Sequence, residues 1–382
     1  MNTLEKIIER YSDKDWNWGG IYSISINPNL TLELIEKYPE KDWNWYLISI
    51  NPNLELEWIE RLFDKPWKWD CISQNTNLQL KWIEKYPDKD WNWKHISSNP
   101  NLELEWIERF PDKPWIWNKD GISLNSNLEL EWIERFPDKD WDWGRYGISL
   151  NSNLKLEWIE KYPDKDWIWS SISENPNLTL EWIERFPDKD WKWIKFSENP
   201  NLTLEWIEKY PDKDWNWGEY GISSNPNLQL EWIERFPDKD WEWGEFSISE
   251  NPNLTLEWIE KYPDKDWDLD YTGIPNNPNL EIEWIERFPE NLCNWNFISS
   301  NPNITLELIE KYPNKPWSWK WISKNPNLQL EWIEKYPDKP WNWIYISGNS
   351  FQGNYNKLKK EKALIINKFI FNYYNKHKLN LI

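Results

Sequence analysis

A block of about two dozen residues, typified by Asn-Pro-Asn-Leu-Thr-Leu-Glu-Trp-Ile-Glu-Lys-Tyr-Pro-Asp-Lys-Asp-Trp-Asn-Trp at 199–217, recurs along nearly the whole chain. Its first Asn falls at Asn27, Asn51, Asn75, Asn99, Asn125, Asn151, Asn175, Asn199, Asn225, Asn251, Asn277, Asn301 and Asn325, so consecutive copies lie 24 or 26 residues apart. Residues 3–26 form one more copy that lacks its Asn-Pro-Asn-Leu opening, which brings the count to fourteen. A unit this short cannot bury an apolar face alone, so the period demands a stack in which each copy covers its neighbours.

The copy at 27–50 shows what is stacked. Asn29 is placed to cap a helix that begins at Leu30 and is stopped by Pro39. Leu30, Leu32, Leu34, Ile35 and Tyr38 cover an apolar arc of roughly 200°, which suits a helix sandwiched between two neighbours. Glu33 and Lys37, and likewise Glu57/Arg61, Glu105/Arg109 and Glu131/Arg135, are spaced as i,i+4 ion pairs on the solvated face. A second short helix, partly 3₁₀, follows Asp-Lys-(Asp or Pro)-Trp and ends at the next Asn-Pro, where Asn can take a left-handed cap conformation. The expected fold is all-α: an α-solenoid of about fourteen 24–26-residue repeats, each of two short helices, in a right-handed superhelix. The 26-residue copies gain two residues just after the paired Trp, as in Trp143-Gly144-Arg145-Tyr146-Gly147, and these insertions are expected on one edge.

The organisation read from this pattern is a Trp-rich solenoid at 1–348 and a basic amphipathic segment at 349–382, which acts as a capping helix or a tail. The net charge is −20, and the last segment carries seven Lys and one Glu, leaving the repeats with 38 basic and 64 acidic residues. Such a stack repels phosphate backbones, so nucleic acid is disfavoured as a partner of the repeats. Two Cys, Cys71 and Cys293, provide no disulfide framework. Met1 to Ile7 lead straight into the first repeat with no signal-peptide pattern, and sequons such as Asn177 sit at the cap position, where a glycan would obstruct stacking. No segment reads as transmembrane, and a cytoplasmic location is expected.

The Asn-Pro-Asn step between two short helices at a 24-residue period resembles the leucine-rich repeat variant family, whose repeats alternate α and 3₁₀ helices. The Cys-rich Fe–S segment known in that family has no counterpart here, so no cofactor is implied. The full Trp-Asn-Trp…Ile-Ser-x-Asn-Pro-Asn-Leu block is similar to uncharacterised Trp-rich tandem repeats of giant DNA viruses. That likeness implies a viral accessory protein, in host cytoplasm or virion, and supplies no functional residues.

Candidate chemistry is sparse. The 38 Trp sort into eleven on the first helix, thirteen at each position of the Trp-x-Trp pair, and Trp321 alone. These fixed registers favour packing, with indole N–H groups directed at helix-end carbonyls. Lys6, read as standing in place of a first-helix Trp, implies that this edge of the first repeat faces water. The alternating carboxylates at Asp138, Asp140 and Asp142, or at 264–270, suit Ca²⁺ in type but lack the Gly and bidentate Glu of an EF-hand. His95 and His377 sit in no triad or metal spacing, and the Ser of Ile-Ser-x-Asn reads as a helix-end hydrogen bonder, so neither catalytic nor metal nor cofactor residues are assigned.

The function expected is a non-enzymatic scaffold that binds a protein partner through an acidic elongated surface. Because the fold is encoded by repeated residues, specificity falls to those that vary. Foremost are Lys68, Ile116, Asp142, Ile168, Lys192 and Glu242 between the paired Trp, followed by Thr31, Glu55, Gln79 and Lys155 after the conserved-register Leu, and by the insertions. Two rival readings stand beside it: glycan binding by exposed Trp, and a structural protein that self-associates end to end.

Overall fold

The computed structural model describes residues 1–270, 273–288 and 292–351. The described residues are helical throughout, with no strand, and each repeat supplies two short elements. The first is an α-helix: Thr3–Arg10 in the first repeat, then Leu32–Lys37, Leu56–Arg61 and so on to Leu330–Lys335. The second depends on repeat length. In the 24-residue copies from residue 27 onward it is α-helical, as at Trp45–Ser49 and Trp69–Ser73; in the 26-residue copies it shrinks to a 3₁₀ turn, as at Ile122–Leu124, Ile148–Leu150 and Ile222–Ser224, and the first repeat also has one, Ile24–Ile26.

The two inserted residues cause that switch. In the shorter copies Ile72 N–H bonds the Lys68 carbonyl at 2.9 Å, an ordinary helical step. In the longer ones Ile148 N–H reaches back six residues to the Asp142 carbonyl at 2.6 Å, closing a loop. A Cβ on Gly147 would lie 1.9 Å from that carbonyl oxygen, so only Gly fits without displacement. Ser247 occupies the same register two insertions later, and its loop hydrogen bond, Ile248 N–H to Glu242 O, is stretched to 3.3 Å.

The first helices start later than the Asn register predicts. The helix of the second repeat runs Leu32–Lys37 with Thr31 as N-cap, Thr31 Oγ1 accepting from Leu34 N–H at 3.2 Å. Glu55 and Gln79 hold the same N-cap position with no side-chain hydrogen bond. Six-residue helices are not stable in isolation, so stacking must hold them. Asn side chains supply that hold instead of capping. Asn75 Nδ2 donates to the carbonyls of Ser49 and Asn51, which flank the preceding Asn-Pro-Asn step, both at 3.0 Å, while its Oδ1 accepts from Asn77 N–H at 2.8 Å. Asn77 Nδ2 in turn donates to Pro52 O and Leu54 O. The backbone at this step is extended, φ −62° and ψ 130° at Asn27, and not left-handed. Every hydrogen-bonding group of Asn75 is thereby satisfied in a buried setting, which explains why no other side chain serves there.

Around this polar spine sits the core of Leu54, Trp58, Ile59, Trp67 and Ile72 and their counterparts. The first Trp of each pair donates its indole N–H to the aromatic or Leu carbonyl that ends the first helix, as Trp67 does to Leu62 O and Trp91 to Tyr86 O, both at 2.8 Å. The first-helix Trp do not follow suit: the indole N–H groups of Trp82, Trp158 and Trp284 are buried without an acceptor. In the first repeat, Tyr11 N–H bonds Ile7 O as Leu62 N–H bonds Trp58 O, so Ile7, fully buried, and not Lys6, stands in the Trp register. Lys6 is exposed, as expected, but as the neighbour of that position.

The chain divides into two compact units, one of residues 30–268 and one of 1–29 with residues 269 onward. Within the second of these, the first repeat occupies the place of a repeat following the last. Asn27 Nδ2 donates to Ser347 O and Asn349 O at 2.7 and 2.9 Å, as Asn349 Nδ2 does to Ser323 O and Asn325 O at 2.9 Å each. Trp16 packs edge-on against Trp343 at 5.3 Å, as Trp341 does against Trp319 at 5.1 Å. Asn17 N–H donates to Ser347 Oγ, and Arg10 pairs with Glu334, each repeating an interior contact. The opening that residues 3–26 lack in sequence is supplied by Asn349, Ser350 and Phe351: Asn349 Oδ1 accepts from Phe351 N–H at 2.8 Å, Ser350 O accepts from Asn29 Nδ2, and Phe351 is buried. The stacking face beside Trp343 is thus covered by residues 1–29. The capping or tail role expected of the 349–382 segment falls, beyond residue 351, outside the described residues.

Candidate interaction surface

Lys68, Ile116, Asp142, Ile168, Lys192 and Glu242 all lie in the 30–268 unit and share one register: each precedes or caps the second element of its repeat. The sequence marks their side chains as variable, but their backbones are fixed. Lys68 N–H donates to Ser49 Oγ of the preceding repeat at 3.0 Å, and the same bond joins Ile116 to Ser97, Asp142 to Ser123, Ile168 to Ser149, Lys192 to Ser173 and Glu242 to Ser223. Each of those Ser is buried, and Ser49 donates its own proton to Trp45 O at 2.6 Å, so it bridges neighbouring repeats. Lys68, Lys192 and Glu242 are exposed; Ile116, Asp142 and Ile168 are half-buried. With Asn92 and Asn216 filling the intervening repeats, the six form one row on an otherwise uniform frame.

Beside this row the second Trp of each pair is boxed in. Trp169 meets Trp191 edge-on at 4.8 Å and Phe186 at 5.3 Å, and Lys189 Nζ sits 5.2 Å from its ring centre. Trp143 has the same company in Trp167, Tyr162 and Lys165, and Trp217 in Trp241, Phe236 and Lys239. An aromatic face under an ammonium group gains a cation–π attraction and is not a free platform for a sugar ring.

The first-helix charges behave differently from the i,i+4 expectation. Arg61 does contact Glu57 at 3.0 Å, but Arg109, Arg135, Arg185 and Arg235 reach across to Glu84, Glu108, Glu160 and Glu208 of the preceding repeat at 2.7–3.1 Å. Lys85, Lys161, Lys209 and Lys261 pair in the same way with Glu60, Glu134, Glu184 and Glu234. Inter-repeat pairing therefore neutralises one row of carboxylates, and much of the remaining acidity lies in the exposed Asp of the Asp-Lys-Asp turns.

The insertions carry aromatic tips. Tyr146 is 53% exposed, Tyr220 44% and Phe246 37%, and Tyr220 stacks on Phe246 from the next repeat at 5.7 Å and 21°. Lys119 likewise lies 5.9 Å from the Tyr146 ring, so consecutive insertions meet along one edge. The signal was present as an aromatic at the third inserted-loop position, but the exposure was not legible from composition.

Among the described residues no group of three or more His, Cys, Asp or Glu side chains converges as a metal centre requires. Asp142 Oδ1 instead accepts from Gly144 N–H at 2.8 Å, ordering the insertion turn. His95 Nδ1 lies 3.2 Å from Asp70 O and 3.3 Å from Asp70 Oδ1, a local contact between neighbouring repeats. One carboxyl is strongly perturbed: burial pushes Glu198 up to about 7, with Lys195 opposing and Glu174 adding to the rise. No described helix is long and apolar enough to cross a membrane. A scan against protein-family models and searches of curated proteins and of solved structures each found no significant match.

Proposed function

We propose that the chain is a non-enzymatic repeat scaffold that binds a protein partner through the acidic surface of its repeats. The observation that carries this reading is the Trp-x-Trp row: backbone positions fixed by the Ser bridges, side chains free to differ from repeat to repeat. A frame of constant geometry with variable exposed residues is what a repeat protein uses to recognise an extended surface. The boxed Trp support protein recognition over sugar stacking, because the faces a sugar would need are already engaged. The exposed turn carboxylates favour a partner with a basic face.

The test compares full-length protein with a Lys68→Asn, Ile116→Asn, Lys192→Asn variant. Affinity purification with mass spectrometry, from cells that make the protein, identifies a saturable partner, and its affinity for both forms is then measured. A loss of at least about tenfold in the variant, at unchanged thermal stability, fits an interface in which a few residues dominate. Equal affinity would remove the row from the interface.

A further inference from the structure

The joint between residues 1–29 and the last repeat reproduces the Asn, Ser, Trp–Trp and ion-pair contacts of an interior boundary, yet it differs in two respects. No peptide bond crosses it, whereas the chain itself runs through boundaries such as Lys324–Asn325. Opening it therefore severs no backbone connection between the two faces. Ile7 also stands where most repeats have a Trp, so a smaller side chain is buried at this joint, while its polar and ring contacts keep distances close to the interior ones. In a one-dimensional stack such a boundary is where local opening has the lowest free energy.

We propose that this joint is a reversible clasp whose other partner is a second copy of the same chain. When residues 1–29 undock, they expose the half-repeat that fits the Trp343, Ser347 and Asn349 face, and the last repeat exposes that face. The surface complementary to each is known, because it is the one each has just left. A second opened copy presents both, so two chains can exchange first repeats and restore every Asn, Ser, Trp and Arg–Glu contact between molecules. Exchange of an identical element costs little beyond the loss of chain freedom, since no new interface has to be built. This differs from end-to-end stacking of free faces: the exchanged form uses the closed contacts and appears only after they open.

The test uses full-length Arg10→Lys protein, a conservative change because Lys335 and Lys261 fill this position in other repeats. Isotopically heavy and light batches are mixed at high concentration, warmed briefly, cooled, and treated with a zero-length carbodiimide that joins the introduced amine to Glu334. The expected result is a dimer fraction that grows with concentration and contains linked peptides with one heavy and one light partner. A dimer holding only same-mass links, or no dimer at any concentration, would overturn the proposal. Hydrogen exchange on the unmodified protein gives an independent reading: the Asn17 amide should exchange at least about tenfold faster than that of Asn216. Equal rates would mean that the clasp does not open.

Discussion

Asn27 donates its side-chain amide to the carbonyl of Asn349 at 2.9 Å, and Asn349 donates its own to Asn325 at the same distance. A boundary between residues 322 positions apart in sequence is thus held by the same device as a boundary between adjacent repeats. The Asn spine, more than any apolar contact, defines the register of stacking, because its donors and acceptor fit only one offset.

Replacing one Asn of the spine tests that claim. Asn75→Ala removes the side-chain donor to the Ser49 and Asn51 carbonyls and the acceptor for Asn77 N–H, leaving Asn51 O only its bond from Leu54 N–H. The expected loss is about 2–4 kcal/mol, read from chemical denaturation. A loss no larger than that of an exposed Asn, such as Asn118→Ala, would show that the spine does not hold the stack.

The insertion loop makes a steric prediction. Gly147→Ala places a methyl group 1.9 Å from the Asp142 carbonyl, so the loop must shift and the Ile148 to Asp142 bond must lengthen or break. Destabilisation of about 1–3 kcal/mol is expected, whereas Ser247→Ala, at a loop already relaxed around a side chain, changes stability by much less. Similar effects at both sites would contradict the account of why Gly recurs.

Glu198 gives stability a pH dependence. Its folded-state value of about 7 lies above the ordinary carboxyl value of 4.5, so the folded protein holds this proton more tightly than the unfolded chain does. The contribution is fully present below about pH 4.5 and is lost as pH rises through about 7. Glu198→Gln should therefore leave the melting temperature nearly unchanged at pH 4.5 and raise it by a few degrees at pH 8. A variant less stable than the parent at pH 8 would reverse the sign and refute the assignment.

The fold was legible where one repeat suffices to read it. Period, helix pair, the buried Leu, Trp and Ile and the helix-end hydrogen bond of Ser49 follow from a pattern within two dozen residues, whereas Lys6 is exposed but was read in the register that Ile7 holds. What was not legible involves the choice between a partner inside a repeat and its equivalent one repeat away. Arg109 has Glu105 four residues back and Glu84 twenty-five residues back, and periodicity makes both available; packing selects Glu84. Asn29 faces the same choice between its own helix and a carbonyl outside its repeat, and takes Ser350. The joint to the last repeat was hidden for a related reason: the split opening, Asn349 to Phe351, is separated from the body it completes by nearly the whole chain. The six variable residues were legible as one row because they share a register, while the exposure of Tyr146 and Tyr220 depends on how the insertion turns.

The most direct measurement is carbodiimide coupling of dilute, monomeric Arg10→Lys protein followed by peptide mass spectrometry. Lys85 with Glu60 and Lys335 with Glu310 serve as internal standards, since each pair bridges adjacent repeats. The account predicts an intramolecular link from position 10 to Glu334 formed to a similar extent as the two standards. Both standards linked, with none from position 10 to Glu334, would contradict it.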